Sequence, residues 1–469
     1  MISPDYEAFC RAKLVVHPPT GIANPPPMPE WLFPFQQDLV RWALERGRAA
    51  LFADAGMGKT RCQLAWAHAV AEHTGGRVLI LAPLAVAPQT VREGADVGVH
   101  VTPVRDPSQL PARGIVITNY EMAEKFDPAL FAGVVLDESS VLKNYMGARK
   151  RFLVESFRST PFRLCASATP APNDHLELGN HADFLGVLSS HEMIARWFIN
   201  DSSTFGTYRL KGHAVASFWD WVNSWARCVG KPSDVRSDYD DSRYCLPGLR
   251  IQTHVLDVDV VAGRGEGQLF RDHKMSAASL HREKRITVRE RVAKVAELVA
   301  AEPDETWCVW CETDYEADAL KLAIPEAVEV RGSHTIATKE ERLNAFSDGR
   351  TRVLITKARI AGAGLNWQHC ARVVYVAPSF SYESDYQSLR RFHRFGQARE
   401  VVAHYVMAHT EVDVWAVMLR KAQAHEAMKL EMFAATRRAA ENRDDGAHWY
   451  EPKHMAKIPA WLRSERIAS

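Results

Sequence analysis

Residues 49–60 read AALFADAGMGKT. An apolar run ends in a glycine-punctuated turn followed by a Lys-Thr pair, which is the layout of a strand, a phosphate-binding loop and a helix N-terminus. Gly56 and Gly58 let backbone N–H groups point inward with no Cβ in the way, and Ala55 and Met57 complete the same cradle. Lys59 can reach the β and γ phosphates, and Thr60 can offer its hydroxyl to Mg²⁺. The strict pattern opens with Gly, where this chain has Ala53. With a strand before it and an amphipathic stretch from Cys62 to Val70 after it, the segment implies a nucleotide site in an α/β fold.

At 469 residues the chain exceeds one ordinary core, so about two or three domains are expected. With 46% hydrophobic and 25% charged residues it is globular rather than disordered. The net charge of +1 requires any nucleic-acid site to be a local basic face. No charged start precedes an apolar segment, and no apolar run is long enough for a bilayer, so the expectation is a soluble cytosolic protein without a membrane partner.

Working outward from the loop, residues 1–30 form an extended Pro-rich lead-in, and WLFPFQQDLVRWAL at 31–44 is a helical pattern after Pro34. Continuous apolar strands then alternate with helices at 49–52, 78–82, 115–118, 134–136 and 163–167, which means a parallel sheet covered on both faces. This first lobe spans 31–189. Residues 190–249 read as a helical insertion and a polar connector. A second strand series at 306–311, 328–330, 353–356, 373–376 and 401–406 makes a second lobe over 250–425, with no phosphate loop of its own. Residues 426–469 form a C-terminal helix and a tail that interleaves basic and aromatic residues.

Asp137 and Glu138 follow the strand VVL directly. Two carboxylates at the end of a strand, in a chain with a phosphate loop, suit Mg²⁺ coordination by the first and water activation by the second. In the second lobe, QSLRRFHRFGQ at 387–397 presents Arg391 and Arg394 at helical i, i+3 spacing, a pair of guanidiniums for developing phosphate charge or a basic surface helix. Cys308 and Cys311 form a C-x-x-C inside an apparent strand, where i and i+3 point to opposite faces; structural thiols fit better than zinc. The aromatics Trp197, Phe198, Phe205, Tyr208, Phe218, Trp219, Trp221 and Trp225 could stack bases, but a helical core explains them more simply.

Taken in order, these segments resemble the motif series of superfamily 2 helicase-like motors, most closely the Swi/Snf-like DNA translocase branch, over roughly residues 31–421. ADAGMGKT resembles motif I, APLAVAPQTVRE at 82–93 motif Ia, ITNYE at 117–121 the Ib region, and LDESS at 136–140 motif II. Ser167 to Pro170, SATP, is similar to motif III, CETDYEADAL at 311–320 to motif IV, IAGAGLN at 360–366 to motif V, and residues 387–397 to motif VI. Motif II carries Ser139-Ser140 where the family usually has His at the fourth position. The compactness is similar to that of bacterial or phage-encoded members.

The resemblance implies two tandem RecA-like lobes closing on ATP and Mg²⁺, with DNA across both. It implies adenine recognition by Gln36, Mg²⁺ binding by Thr60 and Asp137, catalysis by Lys59, Glu138, Arg391 and Arg394, nucleotide contacts from Gly364 and Gln387, and coupling of hydrolysis to lobe motion by Ser167 and Thr169. By motif position, Thr118, Asn119, Thr313 and Lys357 are candidates for nucleic-acid phosphates. The reading is an ATP-driven motor on nucleic acid, duplex DNA favoured over single strands or RNA. A strand-separating helicase and an ATP-gated DNA clamp are the alternatives.

Overall fold

In the computed structural model, the described residues are 18–84, 86–143, 147–171, 174–200, 208–257, 284–361, 365–379 and 381–441. The first sheet grows from the 49–60 stretch. β1 (Arg48–Ala53) leads into the helix Lys59–Thr74, and β2 (Arg77–Ala82), β3 (Val101–Pro103), β4 (Gly114–Asn119), β5 (Gly133–Asp137) and β6 (Phe162–Ala166) follow. β7 (Phe198–Asn200) and β8 (Tyr208–Leu210) make a separate antiparallel ribbon. β9 (Ala226–Val229) then returns to the edge, giving seven strands in the order β3-β4-β2-β5-β6-β1-β9, parallel throughout.

Such a sheet needs apolar cover on both faces, and the strands supply it residue by residue. Ala50 and Phe52 pack with Leu79, Leu136 and Trp225 on one side. Ala49 and Leu51 pack with Leu64, Val70 and Ile80 on the other. The sequence pattern found five of these strands. β9 lies in the stretch read as insertion and connector: ARCV is too short to show a period, and only its register against Ala50–Ala53 defines it. The aromatic segment is core, as its composition suggested. Trp197, Phe198, Phe218, Trp219, Trp221 and Trp225 are all buried in the cluster under this sheet, while Tyr208 is exposed.

The second sheet comprises β10 (Leu249–Leu256), β11 (Trp307–Trp310), β12 (Val328–Glu329), β13 (Val353–Thr356), β14 (Arg372–Tyr375) and β15 (Val401–Ala408). Their order is β10-β15-β14-β11-β13-β12, again with every pairing parallel. The architecture is therefore two tandem RecA-like parallel-sheet lobes with helices on both faces. Cys308 and Cys311 fall in different apolar clusters on opposite faces of this sheet, which a strand's two-residue alternation requires. Both are buried free thiols.

From Val412 to Glu441 runs one uninterrupted helix of 30 residues, about 45 Å long at 1.5 Å per residue. Its first turns pack on the second lobe, with the Trp415 ring 4.4 Å from that of Tyr405. Its later turns place Met428, Met432 and Ala435 in the core of the first lobe. No helix among the described residues is long and apolar enough to cross a membrane.

A candidate nucleotide cleft between the lobes

In a parallel α/β sheet the loops at the carboxyl ends of the strands form the natural binding crevice. Here the carboxyl ends of the first lobe's strands face the second lobe across one cleft of about 240 Å³, to which the second lobe contributes the segment before β14 and the end of the helix Tyr382–Leu389 with the turns that follow it. The glycine loop forms one wall. Gly56 and Gly58 have φ of 91° and 78°, in the region that favours glycine. A Cβ at Gly56 would come within 2.7 Å of Phe395 Cβ, and one at Gly58 within 2.2 Å of Gln36 Nε2. Gly58 is also the N-cap of the helix that starts at Lys59, so that helix's free amides face the cleft. Lys59 donates to the Ala53 carbonyl at 2.9 Å, and burial lowers its pKa against the raising effect of Glu138, Asp54 and Asp137. Ala55, Gly56, Gly58, Lys59 and Thr60 all line the space.

Asp137 ends β5. Its Oδ1 accepts from Gln63 Nε2 at 2.7 Å and from the Glu138 amide at 3.1 Å. Burial, and next the Glu138 charge, push its pKa up against the opposing effects of the Gln63 hydrogen bond and Lys59. Glu138 is the one non-glycine residue with positive φ among those described, at 53°. That conformation costs about 1–3 kcal/mol and persists where the surroundings impose it. It turns Glu138 into the cleft, which the residue lines, while Glu138 Oε2 is buried without a hydrogen-bond partner.

The opposite wall comes from the second lobe. The helix Tyr382–Leu389 stops before the arginine pair, so Arg391 and Arg394 sit on the turns that follow rather than on the helix itself. Both still reach one point: each donates through Nη1 to the Leu365 carbonyl at 3.4 Å. Arg391 Nε also donates to the Gln387 carbonyl at 3.0 Å, and Arg394 Nε is buried without a partner. Burial, and then the neighbouring Arg394, lower the Arg391 pKa to about 10. Two crowded guanidiniums facing an unpartnered carboxylate make a site suited to a polyanion with a cation, since each polar atom left over matches an atom such a ligand would bring.

The other expected residues divide into lining and supporting positions. Gln387 lines the cleft. Gln36 does not: its Oε1 accepts from the Phe33 amide at 3.0 Å and its Nε2 donates to the Met57 carbonyl at 2.9 Å, so it braces the loop. Ser167 accepts from the Thr169 amide at 3.0 Å, and both are fully buried beside Ala168, which lines the cleft. Asn119 caps the turn Tyr120–Lys125 and Thr313 caps the helix Asp314–Ala323. Lys357 pairs with Asp314 at 2.6 Å, and Thr118 is buried with its hydroxyl unpartnered. These four lie at or just past the ends of β4, β11 and β13. Gly364 lies outside the described residues.

Sequence reasoning missed Gln63, Glu93, Tyr386, Arg390 and Phe395. A polar residue on the buried face of the helix Lys59–Thr74 was the available signal for Gln63, which is 1% exposed. Glu93, Tyr386, Arg390 and Phe395 join the lining only because the lobes meet.

Residues 270–396 match the helicase conserved C-terminal domain. The match falls on the second lobe and ends one residue short of Gln397. Over 443 residues the chain is 23% identical to the mouse DNA annealing helicase and endonuclease ZRANB3, an alignment covering 84% of this chain and 40% of that protein. The chain thus spans well under half the length of this relative.

Proposed function

We propose that this chain is a nucleic-acid-dependent ATPase motor of the superfamily 2 helicase type, translocating on duplex DNA. One observation carries the reading. Lys59, Thr60, Asp137 and Glu138 from the first lobe and Arg391 and Arg394 from the second line a single cleft, with Glu138 Oε2 and Arg394 Nε buried and unpartnered inside it.

In this reading Lys59 and the amides of Ala55 to Thr60 would hold the phosphates, with Gln387 on the far side and Gln36 bracing the loop. Thr60 and Asp137 hold Mg²⁺, with Gln63 orienting Asp137. Bound Mg²⁺–ATP supplies the transferable phosphoryl group and part of its charge neutralisation. Glu138 orients the attacking water, and Arg391 and Arg394 neutralise charge that builds on the phosphoryl oxygens. Ser167 and Thr169, packed behind Ala168, pass the change in the cleft to the first lobe.

Support for DNA as the track comes from the second lobe's match to a helicase C-terminal domain and from similarity to a protein named as a DNA annealing helicase. Thr118, Asn119, Thr313 and Lys357 sit at the same strand ends in both lobes, where a phosphate backbone can bridge them. Such contacts carry little sequence preference and weaken steeply with salt.

The test is steady-state ATP hydrolysis at low salt with no nucleic acid, with duplex DNA, with single-stranded DNA and with RNA. Stimulation by duplex is the expected result. Stimulation by single strands or RNA alone would replace the proposal with an unwinding helicase, and no stimulation by any of them would replace it with an ATP-gated clamp.

A further inference from the structure

Asp54 stands inside the phosphate loop, yet no step of the proposed chemistry uses it. Its side chain is nonetheless among the most heavily engaged in the molecule. Oδ1 accepts from the Ala55 amide at 2.8 Å and from the Tyr386 hydroxyl at 2.6 Å. Oδ2 accepts from Lys429 Nζ at 2.8 Å and lies 3.8 Å from the Arg390 guanidinium. Lys429 donates again to the Tyr386 hydroxyl at 3.2 Å and stands 5.4 Å over that ring. These atoms come from three elements: the phosphate loop, the arginine-bearing segment of the second lobe, and the C-terminal helix.

The cluster is nearly closed to water, with side-chain exposures of 13% for Asp54 and 6% for Lys429. Burial by itself would raise the Asp54 pKa, but Arg390 and Lys429 hold it well below the usual carboxylate range. A charge pair shielded in this way is costly to break, because either partner left alone stays buried without its counter-charge.

The C-terminal helix is fastened on both sides of the cleft. Near its middle His425 meets the Tyr382 hydroxyl of the second lobe at 3.1 Å. Beyond Lys429, Glu431 accepts from Trp219 Nε1 at 2.7 Å, and Thr436 accepts from the Cys228 amide at 3.0 Å. Phe433 seats on Gly230, where an added Cβ would come within 2.6 Å of the ring. Lys429 lies where this strut crosses from one lobe to the other, opposite the phosphate loop. Opening the cleft must therefore separate Tyr386 and Arg390 from Asp54, and bend the helix or detach half of it.

We propose that Lys429 and Asp54, with Tyr386, form a latch that fastens this closed arrangement of the lobes, making Lys429 a positioning residue for the arginine pair although it does not touch the cleft. The kinetic part rests on reading the cleft as an ATP site; the closure part does not. The latch keeps Arg391 and Arg394 aligned with the phosphate loop, so its loss lowers the fraction of molecules able to react rather than the affinity of the loop itself.

The experiment compares full-length wild type, Lys429→Met, Lys429→Arg and Tyr386→Phe by small-angle scattering without nucleotide and by steady-state kinetics, with thermal melts as the folding control. Methionine keeps an unbranched side chain of similar length beside the Tyr386 and Phe433 rings and removes the charge together with its donors to Asp54 and Tyr386. Lys429→Met is expected to show a larger radius of gyration and a kcat lower by about tenfold, with KM for ATP within about threefold. Lys429→Arg is expected to restore both. Should Lys429→Met fail to fold, Tyr386→Phe, which deletes one hydroxyl, is expected to expand the molecule in the same sense. An unchanged radius of gyration in the variant that folds overturns the latch, and an unchanged kcat beside an expanded radius overturns the positioning role. Absence of turnover in wild type would overturn the ATPase reading alone, since the scattering comparison needs no nucleotide.

Discussion

The two lobes share a sheet design but differ in how their site residues are held. In the first lobe the key groups have partners within their own lobe: Lys59 on the Ala53 carbonyl, Asp137 on Gln63 and the Glu138 amide. In the second, Arg391 and Arg394 share one carbonyl acceptor, and Arg394 Nε has none. Glu138 Oε2 is the first lobe's exception, buried without a partner as Arg394 Nε is in the second. The cores differ as well. At the second lobe's junction with the C-terminal helix, Arg291 and Glu411 form an ion pair at zero exposure, Arg291 also donating to the Val376 and Val406 carbonyls. On the proposed reading, this contrast divides binding from rate between the two lobes.

The comparison can be broken most decisively at Lys59. Lys59→Ala is expected to abolish turnover while duplex binding, followed by fluorescence anisotropy, stays within about threefold, because DNA contacts spread over many phosphates. Loss of both together would end the separation of roles. Next come the arginines: Arg391→Ala and Arg394→Ala should each cut kcat by about 10³ to 10⁵ yet leave the affinity for a fluorescent ATP analogue within about tenfold. A larger loss of affinity in these variants would make the second lobe a binding partner rather than a trigger.

Smaller effects sharpen the contrast. Arg291→Ala leaves Glu411 buried without its counter-charge, so urea unfolding should show a loss of about 3–5 kcal/mol, confined to the transition that reports the second lobe. Gln63→Ala frees one oxygen of Asp137 from its orienting donor. Titration of Mg²⁺-dependent turnover is expected to show about 10- to 100-fold weaker metal affinity, with urea stability less affected than in Arg291→Ala.

The sequence made legible whatever depends on near neighbours. Among the described residues, ten of the fifteen strands announced themselves through short apolar runs, and the loop, the acid pair and the arginine pair through residue types at close spacing. The missed strands were short or partly polar: ARCV at β9, VTP at β3, the exposed-edge β10 and the ribbon β7 and β8. Arg391 and Arg394 were read onto a helix that ends at Leu389, since i, i+3 spacing does not separate a helix from the turns after it.

By itself, then, the sequence determined two parallel α/β lobes and a glycine loop with its acidic and basic partners. Side-chain period, glycine conformation and charge type are properties of adjacent residues, which a linear reading can see. Only the tertiary structure decided that Glu138 adopts a left-handed backbone, that β9 closes the first sheet's edge, and that Lys429 reaches Asp54 across 375 residues of chain. Those outcomes depend on which surfaces meet when both lobes pack against one long helix, and no local pattern encodes the meeting.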